Sequence, residues 1–285
     1  MTRRTLLALS AAVAGTAWGA KRYAVTGIIL KIDLARRSFV ASIAAIPGYM
    51  EAMSMLFSVR DSKELAGLQP GAHVEFTLVV DTGDSWAEGV RIHQFVSMEQ
   101  EPLLARRLQL LQGAAESAKP LTAGQPVPDF TLTDQAGQRV TLSRLAGKVV
   151  AVTFIYTSCP LPNYCFRLSN NFGRLNQRFS TRMGRDLILL SISFDPVHDQ
   201  PDVLAKYAFT WKADSKSWHF LTGALPDVQS VCRQFGLNFW QDEGLLTHSL
   251  HTIVIDREGK LAADFEGNEF TAEQLGDFVL SVMQR

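Results

Sequence analysis

Short runs of alternating apolar and polar residues fill the chain between residues 23 and 97, each closed by a cluster of turn formers. Tyr23-Ala-Val-Thr-Gly-Ile-Ile-Leu-Lys-Ile-Asp33 and Ser38-Phe-Val-Ala-Ser42 read as strands, and Val74-Glu-Phe-Thr-Leu-Val-Val80 as a further one entered through the turn Gln69-Pro-Gly-Ala72. Asp81 to Trp86 reads as a hairpin loop leading into Ala87-Glu-Gly-Val-Arg-Ile92. Several short strands over about 75 residues predict a small all-β, OB-like barrel over residues 22–98.

The period changes after residue 98. Leu104, Leu108 and Leu111 recur at helical spacing, which predicts a helical linker over residues 99–123, with irregular chain from Leu121 to Pro128. From residue 124 to 285 strand and helix patterns alternate. Phe130–Thr133 and Arg139–Leu142 flank the turn Asp134-Gln-Ala-Gly137. The apolar run Lys148–Thr157 reads as a buried strand, followed by a helix near Leu168 to Phe179 and a strand at Asp186–Ser193. A helix near Pro201 to Thr210, a strand at Trp218–Thr222 and a helix near Pro226 to Phe235 come next. A hairpin built on Asp256-Arg-Glu-Gly259 precedes a last helix opened by Thr271, with Gln274 at capping-box spacing. Such alternation implies a mixed sheet covered by helices on both faces.

Residues 1–20 stand outside this pattern. Thr2-Arg3-Arg4-Thr5 is followed by an apolar stretch from Leu6 to Ala17 and by small residues at Ala17, Gly19 and Ala20. That order reads as an export signal and is short for a bilayer span, which takes about 20 apolar residues. The expected location is exported and periplasmic, with membrane association through an uncleaved signal or a client. Lys plus Arg and Asp plus Glu both number 28, so no general attraction to nucleic acid or anionic lipid is implied. Three cysteines are too few for a disulfide framework, so any pairing is local.

The candidate chemistry sits at two places. Cys159 lies where a strand exits and a helix begins, a position that lowers thiol pKa, and Cys165 can fold back to it around Pro160 and Pro162. His248 stands just before the strand-like run Thr252–Asp256 and is preferred as a partner over His251, which falls within that run. Two thiols and an imidazole can exchange disulfides, hold a soft ion such as Cu(I), or do both. Cys232 falls in a helical run and reads as core; His198 and His219 read as surface or loop residues. In the first segment Met50, Met53 and Met55 lie within six residues, and on a strand Met53 and Met55 share a face. Thioethers select Cu(I), though methionines also fill gaps in cores.

Gly124-Gln-Pro-Val-Pro-Asp-Phe-Thr-Leu132, Phe154-Ile-Tyr-Thr-Ser-Cys-Pro160, Ser191-Ile-Ser-Phe-Asp-Pro196 and His248-Ser before Val254-Ile-Asp-Arg-Glu-Gly259 together resemble the Sco/SenC branch of the thioredoxin-like fold. These are copper-binding assembly factors of cytochrome oxidase. The resemblance implies an α/β thioredoxin-like domain, copper ligation by Cys159, Cys165 and His248, and a supporting role for Asp195. The family spaces its cysteines by three residues. Here five intervene, Pro160 to Tyr164, an insertion expected to widen the loop and either to weaken the affinity for copper or to tilt the balance towards thiol exchange. The first segment resembles the CusF-like copper-binding barrel. Met53 and Met55 match its Met-x-Met pair, Met50 stands where that family has an aromatic, and Ser42 and Ile43 stand where it has a histidine.

These readings predict an exported carrier of Cu(I) whose partners are an apo-oxidase subunit or other copper client. The competing expectations are a thiol–disulfide oxidoreductase working through Cys159 and Cys165 with thiol reductants, and a periplasmic copper buffer.

Overall fold

The protein is described by a computed structural model covering residues 20–93, 121–237, 239–242 and 245–285. The expected export signal and nearly all of the expected linker helix lie outside the described residues.

Five antiparallel strands build the first sheet: β1 (Lys21–Asp33), β2 (Ser38–Ile43), β3 (Met53–Ser58), β4 (His73–Asp81) and β5 (Asp84–Ile92), in the order β3-β2-β1-β4-β5. A parallel bridge between Val59 and Ala87 joins the two outer ends, so the sheet curls into the small barrel that alternation predicts. Alternate residues such as Val25, Ile29, Phe39, Phe57, Phe76 and Leu78 fill its interior. The expected loop from Asp81 to Trp86 is shorter than anticipated. The strands continue to Asp81 and from Asp84 around a two-residue turn, Thr82-Gly83, in which Gly83 has φ +83°. The Asp81 and Asp84 carboxylates accept the next backbone N–H at 2.7 and 2.8 Å, which replaces the lost ladder bonds.

The second sheet has seven strands in the order β14-β13-β8-β9-β10-β6-β7. These are β6 (Thr131–Asp134), β7 (Arg139–Thr141), β8 (Val149–Ile155), β9 (Leu187–Ser193), β10 (Trp218–Thr222), β13 (His251–Ile255) and β14 (Leu261–Glu266). β8 and β9 pair in parallel at its centre, and every residue of both is buried, as a sheet covered on both faces requires. The helices are α1 (Arg167–Arg178), α2 (Pro201–Thr210), α3 (Leu225–Gln234) and α4 (Ala272–Met283). α4 begins with the expected capping box: Thr271 Oγ1 accepts from Gln274 N at 3.1 Å, and Gln274 Oε1 accepts from Thr271 N at 2.9 Å.

Two further features depart from expectation. The segment from Leu121 to Pro128 is docked rather than free, because Gly124 N donates to Leu261 O at 2.7 Å, Leu261 N to Gln125 O and Val127 N to Gly259 O, both at 2.9 Å. A small hairpin, β11 (Phe239–Asp242) and β12 (Leu245–His248), was not anticipated. Its polar centre hides the alternation, and pairing of Phe239 with His248 closes it beside the main sheet.

α4 ties the two sheets together. Ile28 and Leu30 of β1 point away from the barrel interior and join the second core. Asp277 accepts from Ser42 Oγ at 2.7 Å and Ser54 Oγ at 2.6 Å, and Arg178 pairs with the same carboxylate at 2.6 Å. Gly71, at φ +89°, approaches so closely that a Cβ there would meet the Ala263 Cβ at 2.3 Å.

Candidate metal centre

The cysteine loop begins where β8 leaves the sheet. Asp199, 1% exposed, accepts from Thr157 N at 3.0 Å, Thr157 Oγ1 at 2.5 Å and Ser193 Oγ at 2.6 Å. Three donors satisfy a buried carboxylate and fix the backbone two residues before Cys159. Cys159 N then turns back to Tyr156 O at 3.4 Å. The five-residue spacer is taken up by a wide turn over Pro162–Phe166, in which Tyr164 leaves helical geometry at φ −109° and ψ −110°. That turn brings Cys165 back to Cys159 before α1 starts. Asn268 donates its side-chain amide to Asn163 O and so pins the loop tip.

Both sulfurs are free thiols, Cys159 half-buried and Cys165 buried. The Cys165 thiol hydrogen-bonds the Cys159 sulfur, and with help from the Leu161 backbone and the Tyr156 side chain it lowers the Cys159 pKa to about 6. The same bond, together with burial, pushes the Cys165 thiol well up. Of the two thiols Cys159 is therefore the one that ionises first, as a thiolate near neutral pH. Cys232, on α3, is buried, and burial alone pushes its thiol up to about 12, so it is an inert core residue.

His248 ends β12, buried at 8% exposure. Its Nδ1 lies 2.8 Å from Ser249 O, so Nδ1–H donates there and Nε2 keeps its lone pair. Burial lowers its pKa to about 4, leaving a neutral imidazole at physiological pH. Its ring packs on Phe194 at 4.5 Å, Tyr156 at 6.0 Å and Tyr164 at 6.3 Å between centroids. Tyr156 also hydrogen-bonds Cys159, so the imidazole and that sulfur share an aromatic neighbour. A neutral imidazole, a thiolate and a thiol that a soft cation would deprotonate are donor types suited to Cu(I).

Asp195 is occupied locally. Its carboxylate oxygens both lie 2.9 Å from Nδ1 of the exposed His198. The carboxylate that reaches the cysteine loop is Asp199, four residues on, which sequence reasoning missed; only its place after Ser-Phe-Asp-Pro could have signalled it. His219 is not a surface residue: on β10, its Nδ1 sits 3.0 Å from the buried Asp134 carboxylate. His251, on β13, is likewise engaged, with Nδ1 2.9 Å from Asp264 Oδ2.

In the barrel, Met53 pairs with Ile43 and Met55 with Ala41, on one face of β3. Met53 is exposed, whereas Met55 is half-buried against the barrel core with Met50, which bridges Ile46. Ser42 and Ile43 are buried, and Ser42 is turned towards α4 through Asp277. The three thioethers therefore flank the β2–β3 connection without an imidazole from β2.

Residues 118–284 match the family model described as SCO1/SenC, and residues 22–91 match that of the copper binding periplasmic protein CusF. The SCO1 protein homolog of Bacillus subtilis is 28% identical over 152 residues, covering 51% of this chain and 76% of that protein. Peroxiredoxin Bcp of Escherichia coli is 28% identical over 170 residues, covering 57% and 95%. Among solved structures, a SCO1/SenC family lipoprotein from Bacillus anthracis superposes with a TM-score of 0.50 at 26% identity, covering 57% of this chain and 97% of that one. Among the described residues, no helix is long and apolar enough to cross a membrane.

Proposed function

The chain belongs to the SCO1/SenC family, and from that premise we propose that it is an exported carrier of Cu(I) which receives copper at Cys159, Cys165 and His248 and hands it to a copper site of a respiratory oxidase. The single observation that carries this reading is the His248 imidazole, its Nδ1 engaged by Ser249 O and its ring against Tyr156, the same tyrosine that hydrogen-bonds Cys159. A thiolate already present at neutral pH and a neutral imidazole let the ion bind with the loss of one further proton, from Cys165. Three soft ligands leave Cu(I) open to attack by an incoming client sulfur, so the ion can pass by ligand exchange. The Asp199 clamp and the Asn268 contact hold the loop, so few groups need ordering on capture.

The barrel, matched to a copper-binding periplasmic family, is the second copper-handling element, with Met50, Met53 and Met55 as its thioethers. Without an imidazole it holds the ion more weakly than the thiol centre, which favours transfer towards Cys159. Oxidase activity of a deletion strain tests delivery. Complementation by the wild-type chain and by surplus copper, but not by Cys159→Ser at limiting copper, supports it. Full complementation by Cys159→Ser at limiting copper refutes it.

The activated Cys159 also favours a second activity. Its thiolate would attack a client disulfide, forming a mixed disulfide and releasing one client thiolate. Cys165, losing its proton, would then attack Cys159, releasing the second client thiol and leaving a Cys159–Cys165 disulfide. The client gains two electrons, and an external dithiol must restore the pair. A His248→Ala variant separates the roles, since copper ligation needs the imidazole and disulfide exchange does not.

A further inference from the structure

Away from the cysteine loop, a cleft of about 300 Å³ lies between the barrel and the second sheet, lined in part by Gly71, His73, His93, Asp264, Glu266 and Phe270. His73 opens β4, His93 follows β5, and Glu269 lies in the connection between β14 and α4. A ring nitrogen of each histidine and a carboxylate oxygen of Glu269 all fall within 4.8 Å of one another. His93 is held on both sides: Nδ1 lies 2.6 Å from Glu75 Oε1, and Nε2 lies 2.7 Å from Glu269 Oε2. The His73 and His93 rings are 4.9 Å apart.

We propose that His73, His93 and Glu269 form a second metal site, for a divalent ion of the Zn(II) or Cu(II) class, that staples the barrel to the thioredoxin-like sheet. Two imidazoles and a carboxylate make a donor set of borderline hardness, unlike the sulfur-rich sites suited to Cu(I). Bonds of about 2.1 Å place tetrahedral donors about 3.4 Å apart, within reach of side-chain rotation from the spacing seen. Glu75 is the partner such a site calls for: with Nε2 on the ion, Nδ1–H still donates to its carboxylate, which fixes the ring and raises its basicity. The ligands come from both sheets, so the bound ion closes a cross-link between them. Glu269 is also the neighbour of Asn268, which pins the cysteine loop at Asn163, so the staple steadies the segment that carries Cys165. The site shares no ligand with the thiol centre.

The test is calorimetric titration of Zn(II) into the full chain carrying Cys159→Ser and Cys165→Ser, with Co(II) absorption as a geometric probe. The expected result is one tightly bound equivalent, a rise in melting temperature on loading, and a tetrahedral Co(II) spectrum. His93→Ala should lose affinity by about 100-fold or more, and Glu75→Gln, which keeps all three ligands, by about 10- to 100-fold. His73→Gln and Glu269→Gln test the same ligand set should His93→Ala fail to fold. Absence of a bound equivalent in the parent, or undiminished binding in these ligand variants, overturns the proposal. Variants that lower the melting temperature equally with and without metal, beside a parent that takes up none, leave an ionic bridge only and overturn it as well.

Discussion

Asp199 holds Thr157 by two hydrogen bonds, one from its backbone N–H at 3.0 Å and one from its hydroxyl at 2.5 Å. The bonded residue stands two positions before Cys159, so a carboxylate 42 residues away in sequence sets where the loop starts. Removing it orphans the Thr157 N–H and lets the loop exit vary. Asp199→Ala should lower Cu(I) affinity by roughly 10- to 100-fold, the range seen when partners of metal ligands are lost. Competition with a chromogenic Cu(I) chelator measures it. Asp195→Ala, which breaks only the contact with exposed His198, should change affinity much less.

The reactivity of Cys159 should follow pH with a midpoint near 6. The sign follows from the cause: a hydrogen bond from Cys165 stabilises the thiolate, so the charged form persists to lower pH than in a free thiol. Alkylation by iodoacetamide in the reduced chain should be flat from about pH 7 to 8 and fall tenfold per pH unit below the midpoint. Cys165→Ala removes the main donor and should move the midpoint upward. His248, with its pKa lowered to about 4, should not titrate in this window.

Gly71→Ala should loosen the contact between the two sheets. Its φ of +89° disfavours any side chain, and the added Cβ would lie 2.3 Å from that of Ala263. The expected cost is about 2 kcal/mol or more, read as a lower urea midpoint. Gly83→Ala is the control. It carries a similar φ of +83° with open space around it, so it reports the backbone strain without the clash.

Much of this architecture is legible in the chain because its signals are local. The buried run Lys148–Thr157, the Thr271 and Gln274 capping box, and the strands from Tyr23 to Ile92 depend on neighbours a few residues away. The place of Cys159 at a strand exit was also readable, since the end of an apolar run advertises it, as was that of His248 just ahead of β13. What escaped depends on distant partners. Asp199 has no local mark that separates it from Asp195, and its role comes from Thr157, just beyond β8, and Ser193 at the end of β9. His219 looked exposed because polar residues precede it, yet Asp134 on another strand buries it. The His73, His93 and Glu269 cluster is assembled from residues up to 196 positions apart, which no spacing could announce.

The central claim is that Cys159, Cys165 and His248 together hold one Cu(I). Anaerobic titration of the full chain with Cu(I), against a competing chelator, tests it most directly. The thiol centre should account for one high-affinity equivalent that disappears in Cys159→Ser and Cys165→Ser, and weakens strongly in His248→Ala while disulfide exchange persists. A weaker second equivalent should survive these changes and vanish when Met53 and Met55 are replaced by leucine. High-affinity uptake that is unchanged in Cys159→Ser would contradict the account.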